Sequence, residues 1–448
     1  MYLRVQILFM KKSMYSLVLM LVLAACNNPA AHEVATEADT SGTSSSGTSL
    51  SFDPENGSLE LPEGFKAVVV ADKLGRVRHI DVDEKGRVYA RLGSDVGGKG
   101  LVVLVDDNGD GEADQKEYFG SGSGTGIRVY QGYLYYATDD QVFRQLFQNG
   151  EAIPSAEPEL IVSLPKQYQH EAKSIALDGK GNLYVNIGAP SNSCQDPDRQ
   201  PGVPGQDPCP LLERSGGIWR FSATQANQKL EDGTRYATGI RNAVGITWNT
   251  ANSTLYAMQH GRDQLHSHWP DLYTEQESAE FPAEEMFEVQ EGDDFGWPYC
   301  YYDHKRKLKL LNPEYGGDKE KTGRCAEKED PIMAFPGHWA PNAITFYNAE
   351  AFPDEYRGGA FVAFHGSWNR APLPQQGYKV VFVPFANGKP SGAYEEFATG
   401  FPNDGGPVES PGDAEYRPCG LAVGPDGSLY ISDSVRGRVW RVVYTGDK

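Results

Sequence analysis

Beyond residue 25 the sequence has no apolar run long enough to cross a bilayer as a helix, which excludes a membrane-spanning helix in the body of the chain. Positive charge is scarce: 41 Lys and Arg stand against 61 Asp and Glu, a formal net charge of −20. Such a surface repels phosphates and excludes nucleic acid as a partner. Cysteine is sparse as well, six in 448 residues, with no CxxC or Cys/His spacing suited to zinc and no CxxCH for covalent haem. A nicotinamide-binding glycine fingerprint is missing too.

What the chain has in quantity is a repeat. An apolar strand, a tight turn and an aliphatic-aromatic strand leading into a polar loop recur from His79, Gly126, Ser174, Gly245, Ala343 and Gly420. A unit of this kind cannot bury its own apolar face, so neighbouring copies must stack. The 50 glycines and 11% aromatics suit many short strands joined by tight turns. The last unit shows the pattern: Gly420–Val423, the turn Pro425-Asp426-Gly427, Leu429–Ser432, then RVWRVVY over Arg438–Tyr444. Phe65–Ala71 precedes the first unit without a partner. Pairing it beside Arg438–Tyr444 closes a ring and removes the exposed edges. The expected fold is therefore all-β, a six-bladed β-propeller closed by pairing the N-terminal strand with the C-terminal blade. A β-helix is the alternative, but the unit starts are too far apart and too uneven for one.

The amino-terminal residues read as an export signal. Arg4, Lys11 and Lys12 precede an apolar run from Met14 to Ala25, too short to span a membrane, with Met1 or Met10 as the start. The run ends in Leu23-Ala24-Ala25-Cys26, a lipobox pattern that makes Cys26 the expected lipidated residue; an ordinary signal peptide with an incidental cysteine is the alternative. Residues 1–25 are thus expected to be a lipoprotein signal peptide and 26–57 a Ser/Thr/Gly-rich flexible tether. Residues 58–448 are expected to form one propeller domain. The expected location is outside the cytoplasm, periplasmic or cell-surface facing, with the membrane touched only through the lipid.

Cysteine placement fits an oxidising compartment. Cys194, Cys209, Cys300 and Cys325 fall in Pro/Gly/charge-rich loops, which predicts disulfides Cys194–Cys209 and Cys300–Cys325, each stapling an insertion without a core of its own. Cys419, in an apolar strand start, reads as a buried free thiol. A separate signal lies at Asp106, Asn108, Asp110 and Gly111, followed by Asp114 and Glu117. It matches D-x-[DN]-x-[DN]-G-x5-E in full and suggests a structural Ca²⁺ hairpin loop, with a metal-free Asx-rich turn as the alternative.

Phase within the repeat locates the site. In an up-and-down blade the loop leading into the first strand and the loop leaving the second lie on one face, and the turn between them on the other. The opposite-face turns are plain Asp-Gly, Gly-Asn and Ala-Asn sequences. The lead-in loops carry Tyr168-Gln169-His170-Glu171, Gly239-Ile240-Arg241-Asn242, Gly337-His338-Trp339-Ala340-Pro341 and Tyr416-Arg417-Pro418. The exit loops carry Gly188–Asn192, Gln259-His260-Gly261-Arg262-Asp263 and His365-Gly366-Ser367-Trp368-Asn369-Arg370. One mouth of the central channel thus gathers His, Arg, Asn and Trp, a set suited to an anionic, planar ligand.

Four segments in order on this frame, ATGIRNAVGITW, FGWPYCYYD, HGSWNR with GYKVVFVPF, and RPCGLAVGPDGSLYISD, resemble the bacterial glucose/sorbosone dehydrogenases. These are quinoprotein propellers that use pyrroloquinoline quinone (PQQ), and the likeness, from about Leu59 to Tyr444, is nearest the L-sorbosone branch. The resemblance implies oxidation of an aldose or related sugar aldehyde or alcohol, with electrons leaving to a separate acceptor. It implies His170 as general base, an imidazole suiting that task near neutral pH. It places Arg241 and Asn242 at the cofactor carboxylates and quinone oxygens, with Arg370, Arg417 and His365 as further cofactor contacts. Trp339 and His338 are expected to wall the sugar or cover the quinone, with packing of the aromatic between blades as the alternative. A calcium ion bridging the cofactor would take the backbone carbonyls of Gly261 and Arg262, although the best-known glucose enzymes have proline where Arg262 stands. Two other classes compete: a metal-dependent propeller lactonase or esterase, and a catalytically silent binding propeller.

Overall fold

The amino-terminal strand Phe65–Ala71 runs antiparallel to Val439–Tyr444, with Phe65 opposite Tyr444, and so closes the ring from both ends of the chain. This is the expected closure. The computed structural model describes residues 49–402 and 406–446, and the expected signal peptide, Cys26 and most of the tether lie outside them.

Six blades, each with four antiparallel strands, follow one another around the ring, and a short strand Gln228–Lys229 adds in parallel to the outer edge of blade 2. Blade 1 comprises Val77–Val82, Val88–Val96, Lys99–Val105 and Gln115–Phe119; blade 2 comprises Ile127–Tyr130, Tyr133–Ala137, Gln141–Leu146 and Glu159–Ser163. Blade 3 comprises Ile175–Leu177, Asn182–Ile187, Gly217–Ser222 and Thr234–Thr238; blade 4 comprises Gly245–Asn249, Thr254–Gln259, Glu284–Val289 and Met333–Phe335. Blade 5 comprises Pro341–Phe346, Ala360–Phe364, Lys379–Val383 and Glu395–Ala398. Blade 6 comprises Pro418–Val423, Leu429–Asp433, Val439–Tyr444 and the amino-terminal strand. The innermost strands touch their neighbours all the way round, blade 6 meeting blade 1.

Blade-to-blade packing is mostly aromatic and aliphatic. Phe65 meets Phe352 and Phe397 edge-on at 4.8 and 5.0 Å, tying the closure strand to blade 5 as well as blade 6. Burying one such ring is worth about 1.5–3 kcal/mol. The inner strands approach so closely that a Cβ on Gly245 would lie 3.1 Å from the Ala343 backbone. Glycine there serves the contact between blades 4 and 5.

The tether ends earlier than expected. Ser51 N–H donates to the Asp110 carbonyl, Asn56 Oδ1 accepts from Ala67 N–H, and Gly57 is buried. Residues 51–57 are thus part of the fold, because they satisfy backbone groups along the closure strand and the loop between the last two strands of blade 1.

Both predicted disulfides are present, Cys194–Cys209 and Cys300–Cys325, and Cys419 is a buried free thiol. The two stapled insertions pack together and onto the mouth loops. Trp297 Nε1 donates to the Asn192 carbonyl at 2.9 Å, and Tyr299 OH accepts from Cys209 N–H.

The acidic hairpin that begins at Asp106 is tied together by its own side chains. Asp106 accepts from the N–H groups of Gly109 and Gly111, Asn108 Oδ1 from Asp110, and Asp114 from Asp107 and Asn108. Asp110 Oδ1 accepts from Glu112 N–H, and Glu117 lies in the outer strand of blade 1 opposite Val103. The side-chain oxygens serve the turn itself. Among the described residues no group of three or more His, Cys, Asp or Glu side chains is placed to hold a metal ion. These bonds give the loop the form of an Asx-rich turn.

Candidate functional site

Three successive blades build one cavity of about 240 Å³ at the predicted mouth. Blade 3 supplies His170 from its lead-in loop and Arg199 from its stapled insertion. Blade 4 supplies Arg241, His260, Gly261, Asp263 and Glu284, and blade 5 supplies His338, Ala340, Ser367, Trp368 and Asn369. All but Arg199 and Glu284 come from the lead-in and exit loops that phase singled out.

His170 is held from three sides. Its backbone is left-handed, φ +51°, a conformation uncommon for a side chain of this size and typical of residues fixed by their surroundings. His338 and Ala340 in the same cavity share it, at +65° and +56°. The buried Lys173 ammonium donates to Gln167 Oε1 and the Glu171 carbonyl, and Gln167 Nε2 donates to the Gly188 carbonyl, so the loop is tied to the blade beneath it. Gly188 leaves room: a Cβ there would lie 2.7 Å from His170 Cβ and 2.8 Å from Asn242 Oδ1.

His170 donates Nδ1–H to the Ala189 carbonyl at 2.5 Å, since a carbonyl can only accept. Burial, reinforced by the Arg241 charge, pushes its pKa down to about 3, so the ring is neutral and Nε2 carries a lone pair. His260, donating Nε2–H to the Pro341 carbonyl, is pushed by burial to about 4. His338 donates to the Ser278 carbonyl and is likewise lowered by burial. The three imidazoles are uncharged at neutral pH.

Charge in the cavity rests on four groups. Arg241 Nη2 donates to Asp263 Oδ2 at 2.6 Å and Nη1 to the Gly261 carbonyl at 2.9 Å; its backbone N–H donates to Gln259 Oε1. Arg199 donates to the same Asp263 oxygen at 3.0 Å, and Asn369 Nδ2 donates to Oδ1 at 2.8 Å. Burial works to raise Asp263, but the two guanidiniums outweigh it and hold the carboxyl well below the usual range. Glu284 accepts from Gly261 N–H and Ala340 N–H, strapping the exit loop of blade 4 to the lead-in loop of blade 5. Burial pushes its carboxyl up to about 8, so it is mostly protonated at neutral pH. Two guanidiniums and one ionised carboxylate line the cavity, and just outside the lining Asp198 lies 3.6 Å from Arg199 as a second anionic partner. Arg241 Nε and Asn369 Oδ1 are buried without a partner among the described residues.

These groups fit an oxygen-rich, planar anion: an unsatisfied guanidinium N–H, a second arginine, neutral imidazoles and the half-exposed Trp368 ring. Of the two carbonyls expected to hold calcium, those of Gly261 and Arg262, the first is already engaged. The Gly261 carbonyl already faces the Arg241 guanidinium, and a divalent ion there would meet a like charge. The Arg262 side chain turns into the protein, donating to Glu314 at 2.5 Å and Asn312 at 3.1 Å.

Of the residues expected from the sequence, His170 and Arg241 line the cavity; Asn242 does not. Its Oδ1 accepts from Asn186 Nδ2 at 3.3 Å, beneath the loop. Arg370 is a correction, because protein acceptors occupy all three of its nitrogens: the carbonyls of Pro374, Ala279 and Gly337, and the Glu280 carboxylate. Trp339 is another. It is buried between blades 4 and 5, edge-on to Phe364, with Nε1 donating to Gln376. Trp368, in the exit loop of blade 5, is the tryptophan that lines the cavity. Arg417 donates to the carbonyls of His365 and Gly366, and His365 Nε2 meets Ser434 Oγ at 2.6 Å. This pair forms a separate cluster between blades 5 and 6, outside the cavity. Arg199 and Glu284 were missed. Arg199 sits in an insertion without repeat phase, whereas an acidic residue opening the buried strand EEMFEV was a usable signal for Glu284.

Known proteins place this architecture. The chain is 24% identical over 403 residues to an uncharacterized protein of Borreliella burgdorferi, a match spanning 86% of this chain and 91% of that one. It is 25% identical over 277 residues to the pyrroloquinoline quinone-dependent pyranose dehydrogenase of Coprinopsis cinerea, spanning 53% of this chain but only 36% of that protein. The holo PQQ domain of a Coprinopsis cinerea pyranose dehydrogenase superposes with a TM-score of 0.66 at 19% identity, covering 88% of this chain and 98% of that domain. The family model described as TrAA12-like matches residues 59–445, so the propeller and its cavity lie wholly within the match, and the chain belongs to the TrAA12-like family.

Proposed function

We propose that this chain is a PQQ-dependent dehydrogenase that oxidises an aldose or related sugar aldehyde or alcohol and passes electrons to a separate acceptor. The observation that carries the proposal is the neutral His170, its Nε2 unprotonated, lining one cavity with Arg241 and Arg199. The naming of PQQ and of a sugar rests on the Coprinopsis relatives.

Arg241, through its unpartnered Nε, and Arg199 would hold the cofactor's carboxylates and quinone oxygens, with Trp368 at the open side. PQQ, when bound, supplies the acceptor for the hydride that leaves the sugar carbon. His170 Nε2 takes the proton of the hydroxyl on that carbon as the C=O bond forms, and the Ala189 carbonyl, through Nδ1–H, orients the ring and stabilises the imidazolium. Gly188, Gln167 and Lys173 hold the base in place. Calcium has no part in this proposal.

A lactonase would need carboxylates free to hold an ion at the channel centre, whereas the ionised carboxylate here is already shared by two guanidiniums. The deciding experiment is reconstitution with PQQ. Sugar-dependent reduction of an artificial dye, lost in His170→Ala, supports the dehydrogenase, and no PQQ uptake at all overturns it. Export and anchoring through Cys26 complete the proposal, supported by the Leu23–Cys26 pattern. Membrane fractionation of wild type and Cys26→Ser tests it, release of the variant being the expected result.

A further inference from the structure

A second cleft, of about 280 Å³, adjoins the cavity and shares two residues with it, Trp368 and Asn369. Trp368 is 57% exposed at this junction, unlike the large majority of apolar side chains in the fold, which are buried. Asn369 faces both spaces, with Nδ2 committed to Asp263 and Oδ1 buried and lacking a donor. Beyond the tryptophan the cleft is lined by His266, Ser267 and Glu275 on one side and Ala371 and Pro372 on the other. His266 donates Nδ1–H to the Tyr273 carbonyl at 2.6 Å, which leaves Nε2 as an acceptor for a hydroxyl.

The chemistry of the lining selects its ligand. An indole ring offers a flat apolar face, which suits the C–H face of a pyranose, and the imidazole, hydroxyl, amide and carboxylate around it match a ring of hydroxyl groups. No lysine or arginine lines the cleft, and Glu275 does, so a phosphorylated or carboxylated extension would find no cationic partner there. The cleft is therefore unlike the cavity beside it, which two arginines line. One is suited to an anion and the other to a neutral polyol.

We infer that the cleft beyond Trp368 is a saccharide subsite that takes the second ring of a disaccharide or longer sugar, while the ring being oxidised sits beside His170. The inference rests on the sugar-dehydrogenase proposal and deepens it. Trp368 divides the two rings, and Asn369 Oδ1 receives a hydroxyl at the boundary.

Two measurements test it. In the PQQ-loaded enzyme, kcat/KM is compared for D-glucose, cellobiose and maltose in wild type, Ser267→Trp, which fills the cleft from an exposed position, and Trp368→Phe and Trp368→Ala. The expected result is at least a tenfold fall in the disaccharide-to-glucose ratio of kcat/KM in Ser267→Trp and Trp368→Ala, for whichever disaccharide is used, with Trp368→Phe recovering most of it. An unchanged ratio in Ser267→Trp overturns the inference. In cofactor-free protein, calorimetric titration with the same sugars removes the dependence on PQQ. Disaccharide binding that is weakened at least tenfold by Ser267→Trp supports the subsite even if PQQ uptake fails. Absence of disaccharide binding in both forms overturns it.

Discussion

Arg241 and Asp263 form a buried ion pair at 2.6 Å on the floor of the cavity, and the same arginine reaches the Gly261 carbonyl with its other terminal nitrogen. The pair explains how a guanidinium stays buried and charged beside three neutral histidines. It also leaves Nε as the arginine's spare donor.

Arg241→Ala should raise the dissociation constant for PQQ about 10- to 100-fold, the range of one to two charge-assisted hydrogen bonds. Arg241→Lys should recover little, since an ammonium cannot bridge Gly261, Asp263 and a ligand at once. Quenching of tryptophan fluorescence by PQQ measures both.

Chelation should leave PQQ affinity within about twofold of its value in added calcium, because the Gly261 carbonyl is already met by Arg241. The same titration in EDTA and in excess Ca²⁺ checks this. A melting temperature unmoved by the chelator would agree with the Asp106–Asp114 turn holding itself together through its own N–H groups.

His170→Ala should cut sugar-dependent dye reduction about 10²- to 10⁴-fold while changing PQQ affinity only a few-fold. Because burial holds the imidazole near 3, the base is unprotonated across the ordinary working range, and the acid limb of kcat/KM should fall below pH 5. An acid limb near 6.5 would mean that the ring titrates as an exposed histidine does.

Gly188→Ala should lower kcat at least tenfold, since the new methyl would collide with the His170 Cβ and carbonyl and with Asn242 Oδ1. The expected loss of stability is about 1–3 kcal/mol. A drop in melting temperature with full activity would show that the loop moves without carrying the base with it.

Glu284 links stability to pH. Its carboxyl, held at about 8 when folded, binds its proton more tightly in the native state than in the unfolded chain. Its stabilising contribution is complete below the ordinary carboxyl range and is lost as pH rises towards 8. Glu285, pushed by burial to about 7, acts in the same direction. Glu284→Gln removes one such dependence at the cost of turning an amide N–H towards a backbone N–H. The variant should be the less stable at pH 5, and the gap in melting temperature should narrow or reverse by pH 8, a change of about a few degrees. Parallel melting curves across pH 5–8 would contradict the assignment.

The propeller, its closure and its active rim were legible because they rest on short-range regularities. Alternation placed Arg438–Tyr444 as a half-buried strand, observed from Val439, the unpartnered Phe65–Ala71 needed an edge, and the period of the blade sent His170 and Arg241 to one face. The paired cysteines were legible for a related reason, each pair closing a short loop. What the sequence left open was the direction in which long side chains turn. Arg241 in a lead-in loop and Arg370 in an exit loop stand on the same rim, yet Arg370 finds Glu280 and three carbonyls within the protein, while Arg241 shares Asp263 with Arg199 and keeps Nε without a partner among the described residues. Trp339 packs between blades and Trp368 stays in the mouth. By itself the sequence determined the fold and the face on which chemistry occurs, since strand periodicity and turn residues are local. Only the tertiary structure decided which groups are spent on the protein and which remain for a ligand. In a buried, low-dielectric site every charge must take whatever partner a distant loop brings within reach.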